Sequence, residues 1–265
     1  MISFIIVSYN SSKTIFATIE SIFKSVNRQF EVVVVDNCSS DKEYLEELSK
    51  VENITLIKSE SNLGFSKANN LGVSKCNGDI LFFINPDVYI NQDSFISLVE
   101  NLKPQVVTTS KLYDEFGVPN KSIFLIPFLS NYFKQIFNKK GMVWVHGALL
   151  VIHRNDFLCI GQWSEEFFMY SEDVDICYKI HLHGLELKIL DEKVIHVGAT
   201  STATVWNDLE RLTIVEKSSL KFYKKYNKVI DYYIINVLVL AKMLFTGNKS
   251  VKNKAVAMLR SMRNA

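Results

Sequence analysis

Residues 2–37 read ISFIIVSYNSSKTIFATIESIFKSVNRQFEVVVVDN. Two short apolar runs, residues 3–7 and 31–35, flank a stretch near 12–23 whose apolar residues recur at helical spacing. The runs are β-branched and almost continuously apolar, as strands buried on both faces should be. Working outward, apolar runs recur at residues 54–57 and 80–84, with helical patterns near 41–48, 65–73 and 92–102. Asp41 and the segment from Gln92 to Ser94 supply helix-start chemistry. Strands alternating with helices predict an α/β domain with a mostly parallel central sheet flanked by helices.

In such sheets ligands gather at the carboxyl ends of the strands. Tyr9 and Asn10 follow the first run, Asp36 and Asn37 the second, Asn62 the third, and Asn85 and Asp87 the fourth. The ten glycines form neither G-x-G-x-x-G nor G-x-x-x-x-G-K-[ST]. That argues against a dehydrogenase-type dinucleotide site and a P-loop NTPase. Further along, residues 143–153 read as a strand and 171–183 as a helix capped by Ser171. Residues 185–190 and 193–197 read as two strands, while 110–141 are irregular and rich in aromatic residues.

An ordered set of motifs now stands out: Val7-Ser8-Tyr9-Asn10, Val35-Asp36-Asn37, Asn62-Leu63-Gly64-Phe65, Ala68-Asn69-Asn70-Leu71-Gly72 and Asn85-Pro86-Asp87. His146-Gly147-Ala148 with Arg154 follows, then Phe167-Phe168-Met169-Tyr170-Ser171-Glu172-Asp173-Val174-Asp175. Over about residues 1–200 this resembles family 2 glycosyltransferases, and most of all their rhamnosyltransferase-like branch. The resemblance implies a GT-A (Rossmann-like) fold, a nucleotide-sugar donor (dTDP- or UDP-linked) and inversion at the anomeric carbon. It implies donor contacts from Ser8, Tyr9, Asn10, Asp36, Asn37, Asn62, Lys67, Asn70, Asn85 and Asp87.

The chemistry of these residues suits such roles. Asp36 could accept the N3–H of uracil or thymine in a charge-assisted bond, or merely cap the following turn. Residues 62–70 combine a loop with a helix N-terminus, where free amides favour phosphate. Asn85-Pro86-Asp87 stands where the family commonly has Asp-x-Asp, which holds Mg²⁺ or Mn²⁺ against the donor diphosphate. One acid is workable, because Mg²⁺ takes few carboxylates and completes its shell with phosphate and water. His196 is a candidate second metal ligand; a structural hydrogen bond is its alternative. By resemblance, Asp173 is the catalytic base that takes the acceptor hydroxyl's proton. Trp163, Tyr170 and Glu172 are acceptor-side candidates, the two aromatics by stacking on a sugar face. Gly161-Gln162-Trp163-Ser164-Glu165 departs from the family's Gly-Gly-Phe-Asp-Glu, which leaves the acceptor open, although Ser164 can still cap a helix. Cys177 and His181 are explained more simply by an apolar helix face than by zinc.

Hydrophobic residues at 48% and charged residues at 22% describe a globular chain rather than a disordered one. Four scattered cysteines without a CxxC pair fit reduced cytoplasmic thiols. The opening lacks a basic n-region, so no signal peptide is expected. Net charge is +2, yet from Lys217 onward there are eleven Lys/Arg and one acid, Asp231. The expected organisation is a catalytic domain over 1–204, with a nucleotide-binding half at 1–102 and an acceptor half at 103–204. A basic helical extension follows over 205–265. Within it, Val251, Ala255, Met258, Leu259 and Met262 share one face, while Lys252, Lys254, Arg260 and Arg263 lie outside it. That predicts attachment to an anionic membrane surface, on the inner face of the cell membrane and near a lipid-linked glycan acceptor. Packing on the catalytic domain, or on a second copy in a homo-oligomer, is the alternative. Nucleic acid is not an expected partner. Rival readings are a non-catalytic nucleotide-sugar-binding subunit and a nucleotidyltransferase; the latter usually carries a glycine-rich phosphate loop that VSYNSSK lacks.

Overall fold

The computed structural model describes residues 1–198, 207–246 and 250–263, the last without the Arg263 side chain. The expected boundary at 204 lies outside the described residues. The chain opens with β1 (Ile2–Ser8), α1 (Ile15–Ser25), β2 (Phe30–Asp36), α2 (Glu43–Leu48), β3 (Ile54–Lys58), α3 (Phe65–Ser74) and β4 (Ile80–Ile84). The short β5 (Val88–Tyr89), α4 (Gln92–Glu100), β6 (Val106–Tyr113), β7 (Ile123–Leu125), α5 (Leu129–Ile136) and β8 (Val143–Val145) follow. Then come β9 (Leu149–His153), α6 (Arg154–Cys159), α7 (Glu172–Leu182) and β10 (Glu186–His196). Three helices end the chain: α8 (Asp208–Lys225), α9 (Val229–Phe245) and α10 (Val251–Arg263).

Eight strands form one sheet in the order β3-β2-β1-β4-β9-β6-β10-β5. The β3-β2-β1-β4 half is parallel, as the alternating pattern predicts. β9 runs antiparallel to both β4 and β6, and β5 antiparallel to β10. One core cluster lies on each face of the sheet: Phe4, Ile6, Val32, Val34 and Phe82 on one, Ile5, Val33, Val35, Leu81 and Phe83 on the other. Alternate side chains of one strand point to opposite faces, so a run apolar at every position is what a doubly covered strand requires.

Several expectations are corrected. The 143–153 run is two strands, β8 and β9, because His146-Gly147-Ala148 breaks it at the sheet's edge. The two runs at 185–190 and 193–197 are one strand, β10, with an irregularity between Leu190 and Val194. The 110–141 stretch holds part of β6, all of β7 and α5; its strand pairing is long-range, which local periodicity does not carry. Ser171 precedes α7 but makes no capping bond with its side chain, since its backbone is left-handed (φ 67°). Ser164 caps no helix either. It donates to Asp175 Oδ2 at 2.6 Å and accepts from Lys225 Nζ at 2.7 Å. α10 packs on the chain in part: Met258 and Ala257 are buried and Lys254 pairs with the buried Glu216, while Leu259 of the expected apolar face is 60% exposed.

Candidate active site

The carboxyl ends of β2, β1 and β4 lie side by side, and they bring Asp36, Ser8 and Asn85 to one edge of the sheet. Asp36 is fully buried, and its carboxylate accepts the Ser39 amide (3.2 Å to Oδ1). Tyr44 links Ser8 and Ser39 through hydroxyl contacts of 2.8 Å each and donates to Asp36 Oδ1 at 3.4 Å. Lys42 Nζ stands 3.9 Å from Asp36 Oδ2. The turn-capping arrangement is therefore present in full. Asn10, with φ 51°, accepts the Ser40 amide at 2.8 Å through Oδ1, and Tyr9 is half-buried beside it.

Asn37 and Asn62 brace the loop before α3. Asn37 Oδ1 accepts the Leu63 amide at 2.7 Å, its Nδ2 donates to Asn62 Oδ1 at 2.9 Å, and Asn62 accepts the Gly64 amide at 3.0 Å. Gly64 has φ 78°, and a Cβ there would stand 2.3 Å from the Phe168 carbonyl oxygen, so only glycine fits. The Phe65 amide bonds that same carbonyl at 3.0 Å. Lys67 is exposed on the first turn of α3. Asn70 spends both ends of its amide on Trp163, donating to its carbonyl at 2.9 Å and accepting from its amide at 3.2 Å. Trp163 is corrected from a stacking surface to core: it is 1% exposed and sits edge-on to Phe65 and Phe83. A large aromatic is worth most where its whole area leaves water.

At the other end of the sheet, His196 closes β10 opposite Val88 of β5, which brings its Nε2 to 3.4 Å from Asp87 Oδ1. The ring of His146 lies 5.4 Å from that of His196. His146 is open to solvent yet walled by protein; desolvation and the neighbouring His196 lower its pKa to about 4, so the ring is neutral at physiological pH. Divalent ions with bonds of about 2.1 Å hold adjacent ligands about 3 Å apart. The Asp87–His196 pair fits that spacing. Among the described residues no group of three or more His, Cys, Asp or Glu is assembled for a metal. Diphosphate oxygens and water would therefore supply the other ligands.

The acidic start of α7 completes the site. Asp173 lies beside Gly147, whose amide bonds its carboxylate, and a Cβ on Gly147 would come within 3.3 Å of Asp173 Cβ. Burial raises the Asp173 pKa to about 6, against the amides of Val174, Asp173 and Gly147, which pull it down. Burial and the Asp173 charge push Glu172 well above the usual range, and its Oε2 has no hydrogen-bond partner. Two successive residues in the left-handed region, Tyr170 (φ 66°) and Ser171 (φ 67°), set the entry into this turn. Such strain in non-glycine residues persists only where the surroundings enforce it. Asp173, Gly147, His146, His196 and Asp87 thus form one connected series. His146 and Gly147 belong to a motif the sequence displays, but their place between Asp173 and the Asp87–His196 pair depends on β8 packing against α7. Tyr44 carries no sequence signal.

Residues 3–157 match the family described as Glycosyl transferase family 2. A low-salt glycan biosynthesis hexosyltransferase of Haloferax volcanii is 25% identical, covering 92% of this chain and 85% of the relative. Rhamnosyltransferase WbbL of Escherichia coli is 22% identical, covering 71% and 79%. The poly-beta-1,6-N-acetyl-D-glucosamine synthase of Staphylococcus aureus is 24% identical, and there the chain spans 47% of the relative's length. The mannosyltransferase PcManGT from Pyrobaculum calidifontis, solved with GDP-Man and Mn²⁺, superposes with a TM-score of 0.62 at 14% identity, covering 98% of this chain and 85% of that one. GalNAc-T7, solved with UDP, GalNAc and Mn²⁺, gives 0.62 at 18% identity, covering 82% and 47%.

Proposed function

This chain belongs to glycosyl transferase family 2 and is a glycosyltransferase; from that premise we propose that it performs an inverting transfer of one sugar, L-rhamnose from dTDP-L-rhamnose, to a lipid-linked glycan. The observation that carries the reading is the continuity from base to leaving-group side: Asp173 touches Gly147, and the adjacent His146 meets His196, which pairs with Asp87.

Asp36 and the ends of β1 and β2 receive the nucleoside. Its carboxylate, which already accepts the Ser39 amide and the Tyr44 hydroxyl, accepts the base N3–H as well, since each oxygen has lone pairs to spare. The amides of Leu63, Gly64 and Phe65 are spent on Asn37, Asn62 and Phe168, so the exposed Lys67 on the first turn of α3 is the group that meets the diphosphate. Asp87 and His196 are the residues that would hold a divalent cation, Mg²⁺ or Mn²⁺, and such an ion would supply charge neutralisation to the diphosphate leaving group. Asp173 accepts the proton of the acceptor hydroxyl as its oxygen bonds the anomeric carbon. The bond from that carbon to the diphosphate oxygen breaks, and the nucleoside diphosphate leaves with the electron pair. A carboxylate with a pKa near 6 is mostly ionised at neutral pH and still basic enough to take a proton. Glu172, held toward its protonated form, can donate to an acceptor oxygen. Support for rhamnose is the similarity to the Escherichia coli rhamnosyltransferase.

A panel of nucleotide sugars tests this by thermal stabilisation, with and without Mn²⁺. The dTDP-sugar should raise the Tm most, and Asp87→Ala should remove most of the Mn²⁺-dependent part. Ligand at a hundred times its Kd stabilises by about 2.7 kcal/mol, a shift that is easily read. Equal shifts for every nucleotide sugar, or the same Mn²⁺ effect in Asp87→Ala, would overturn the assignment.

A further inference from the structure

The apolar face expected on α10 is partly buried, with Leu259 left exposed, and a larger exposed apolar face lies on α9. On α9, Ile230, Val237, Leu238 and Leu244 are each at least 60% exposed. Their spacing puts them on one side of the helix. A shallow groove along this side is lined by Tyr233, Ile234, Val237 and Leu238. On α5 and just beyond, Phe133, Ile136 and Phe137 are also exposed. Asp231 Oδ2 accepts the Leu129 amide at 3.0 Å, which ties the start of α5 to the start of α9. Soluble surfaces rarely leave so many large apolar side chains together without a use for them.

The charge around these residues selects the occupant. No acid occurs between Glu115 and Asp156, a stretch that carries Lys134, Lys139 and Lys140 beside the aromatic residues. Lys228 and Lys242, both exposed, flank α9 at its two ends. Asp231, the one acid after Glu216, is spent on the α5 amide. Two copies of this face set together would bring lysines against lysines, whereas an anionic surface neutralises them. No helix among the described residues is long and apolar enough to cross a membrane, and α9 carries the buried Asn236 on its inner side. A helix of this kind lies on a bilayer rather than through it.

We propose that the exposed faces of α5 and α9 are a docking surface for an anionic lipid bilayer, into which the aromatic and aliphatic side chains insert while the lysines meet the headgroups. The proposal rests on the transfer reading only for its purpose. α5 sits in the connection between β7 and β8, and β8 leads directly into His146 and Gly147. Docking there would present the site to an acceptor anchored in the same bilayer.

The full-length chain is sedimented with vesicles of phosphatidylcholine containing about a third phosphatidylglycerol, and with phosphatidylcholine alone. The wild type should partition to the anionic vesicles only. Phe137→Asp with Val237→Asp should weaken partitioning at least about tenfold, and Lys139→Gln with Lys140→Gln about twenty-five-fold, at roughly fivefold per lysine. Lys252→Gln, on α10, should change it less than about twofold. Unchanged melting temperature and donor-induced stabilisation establish that each variant is folded. Wild-type partitioning in Phe137→Asp/Val237→Asp, or a concentration-dependent dimer that these substitutions dissolve without any vesicle binding, would overturn the proposal, the latter in favour of a second copy. Transfer to a short water-soluble acceptor is measured in parallel. Its absence alongside intact vesicle binding would defeat the transfer reading and leave the surface standing.

Discussion

Asp173 concentrates the residue-scale chemistry. Its pKa is raised from 3.8 to about 6, so the folded state holds a proton that the unfolded chain has already released. The sign follows from proton binding: the buried charge costs stability above pH 6, the cost shrinks as pH falls between about 6 and 4, and it is absent below both values. Asp173→Asn removes that cost. The variant should therefore melt no lower than wild type at pH 8 and keep its donor-induced stabilisation, yet lose at least about a hundredfold in transfer, the usual worth of a general base. Wild-type turnover should fall as pH drops through about 6. Near-normal transfer by Asp173→Asn, or a flat rate between pH 5 and 8, would refute the assignment. Asp173 was legible as an acid at a helix start. The amide of Gly147 against it was not, since 26 residues, with strand β9 and helix α6, separate the pair.

Among elements, α7 and α8 depend on one another. Asp175 is fully buried, two residues after Asp173, and its Oδ1 accepts from Lys225 Nζ at 2.7 Å and the Tyr226 hydroxyl at 2.8 Å, both at the end of α8. Oδ2 faces Ser164 at 2.6 Å and Lys179 at 3.5 Å. A buried carboxylate stripped of a partner is expensive. Lys225→Met should lower stability by on the order of 2 kcal/mol, less than the full cost of a broken pair because Lys179 remains. Because α7 then loses its anchor beside Asp173, kcat should drop more than donor affinity. Tyr226→Phe, which removes one hydrogen bond, should cost about 1 kcal/mol. An equal loss of kcat and donor binding in Lys225→Met would point to general unfolding instead. The elements themselves were unevenly legible. The four parallel strands announce themselves through β-branched runs. β6 does not, because its residues VVTTSKLY are mixed in polarity, and β7 does not, because three residues are too few to show a period.

Across the whole molecule, a third core cluster joins the catalytic half to the tail. Ile126, Phe128, Phe167 and Val174 pack with Leu220, Phe222, Tyr223, Tyr232 and Met258. The cluster is sealed by the buried Glu216, which pairs with Lys254 and accepts from the Tyr232 hydroxyl at 2.9 Å. A chain ending at residue 198 would expose the first four and leave Asp175 without Lys225. It should be insoluble, or bind a hydrophobic dye strongly and melt without cooperativity; a soluble, cooperative, donor-binding fragment would contradict this. The sequence alone determined the parallel half of the sheet and the polar residues at its carboxyl edge, because unbroken β-branched runs and helical periodicity are local signals. It also carried the family's motifs in order. Only the tertiary structure decided which side chains face one another: that Trp163 is core, that His146 stands beside His196, and that α10 buries Met258 while α9 leaves Val237 and Leu238 outside. An amphipathic pattern reports that a helix has two faces, and the packing of its neighbours chooses which of them meets solvent.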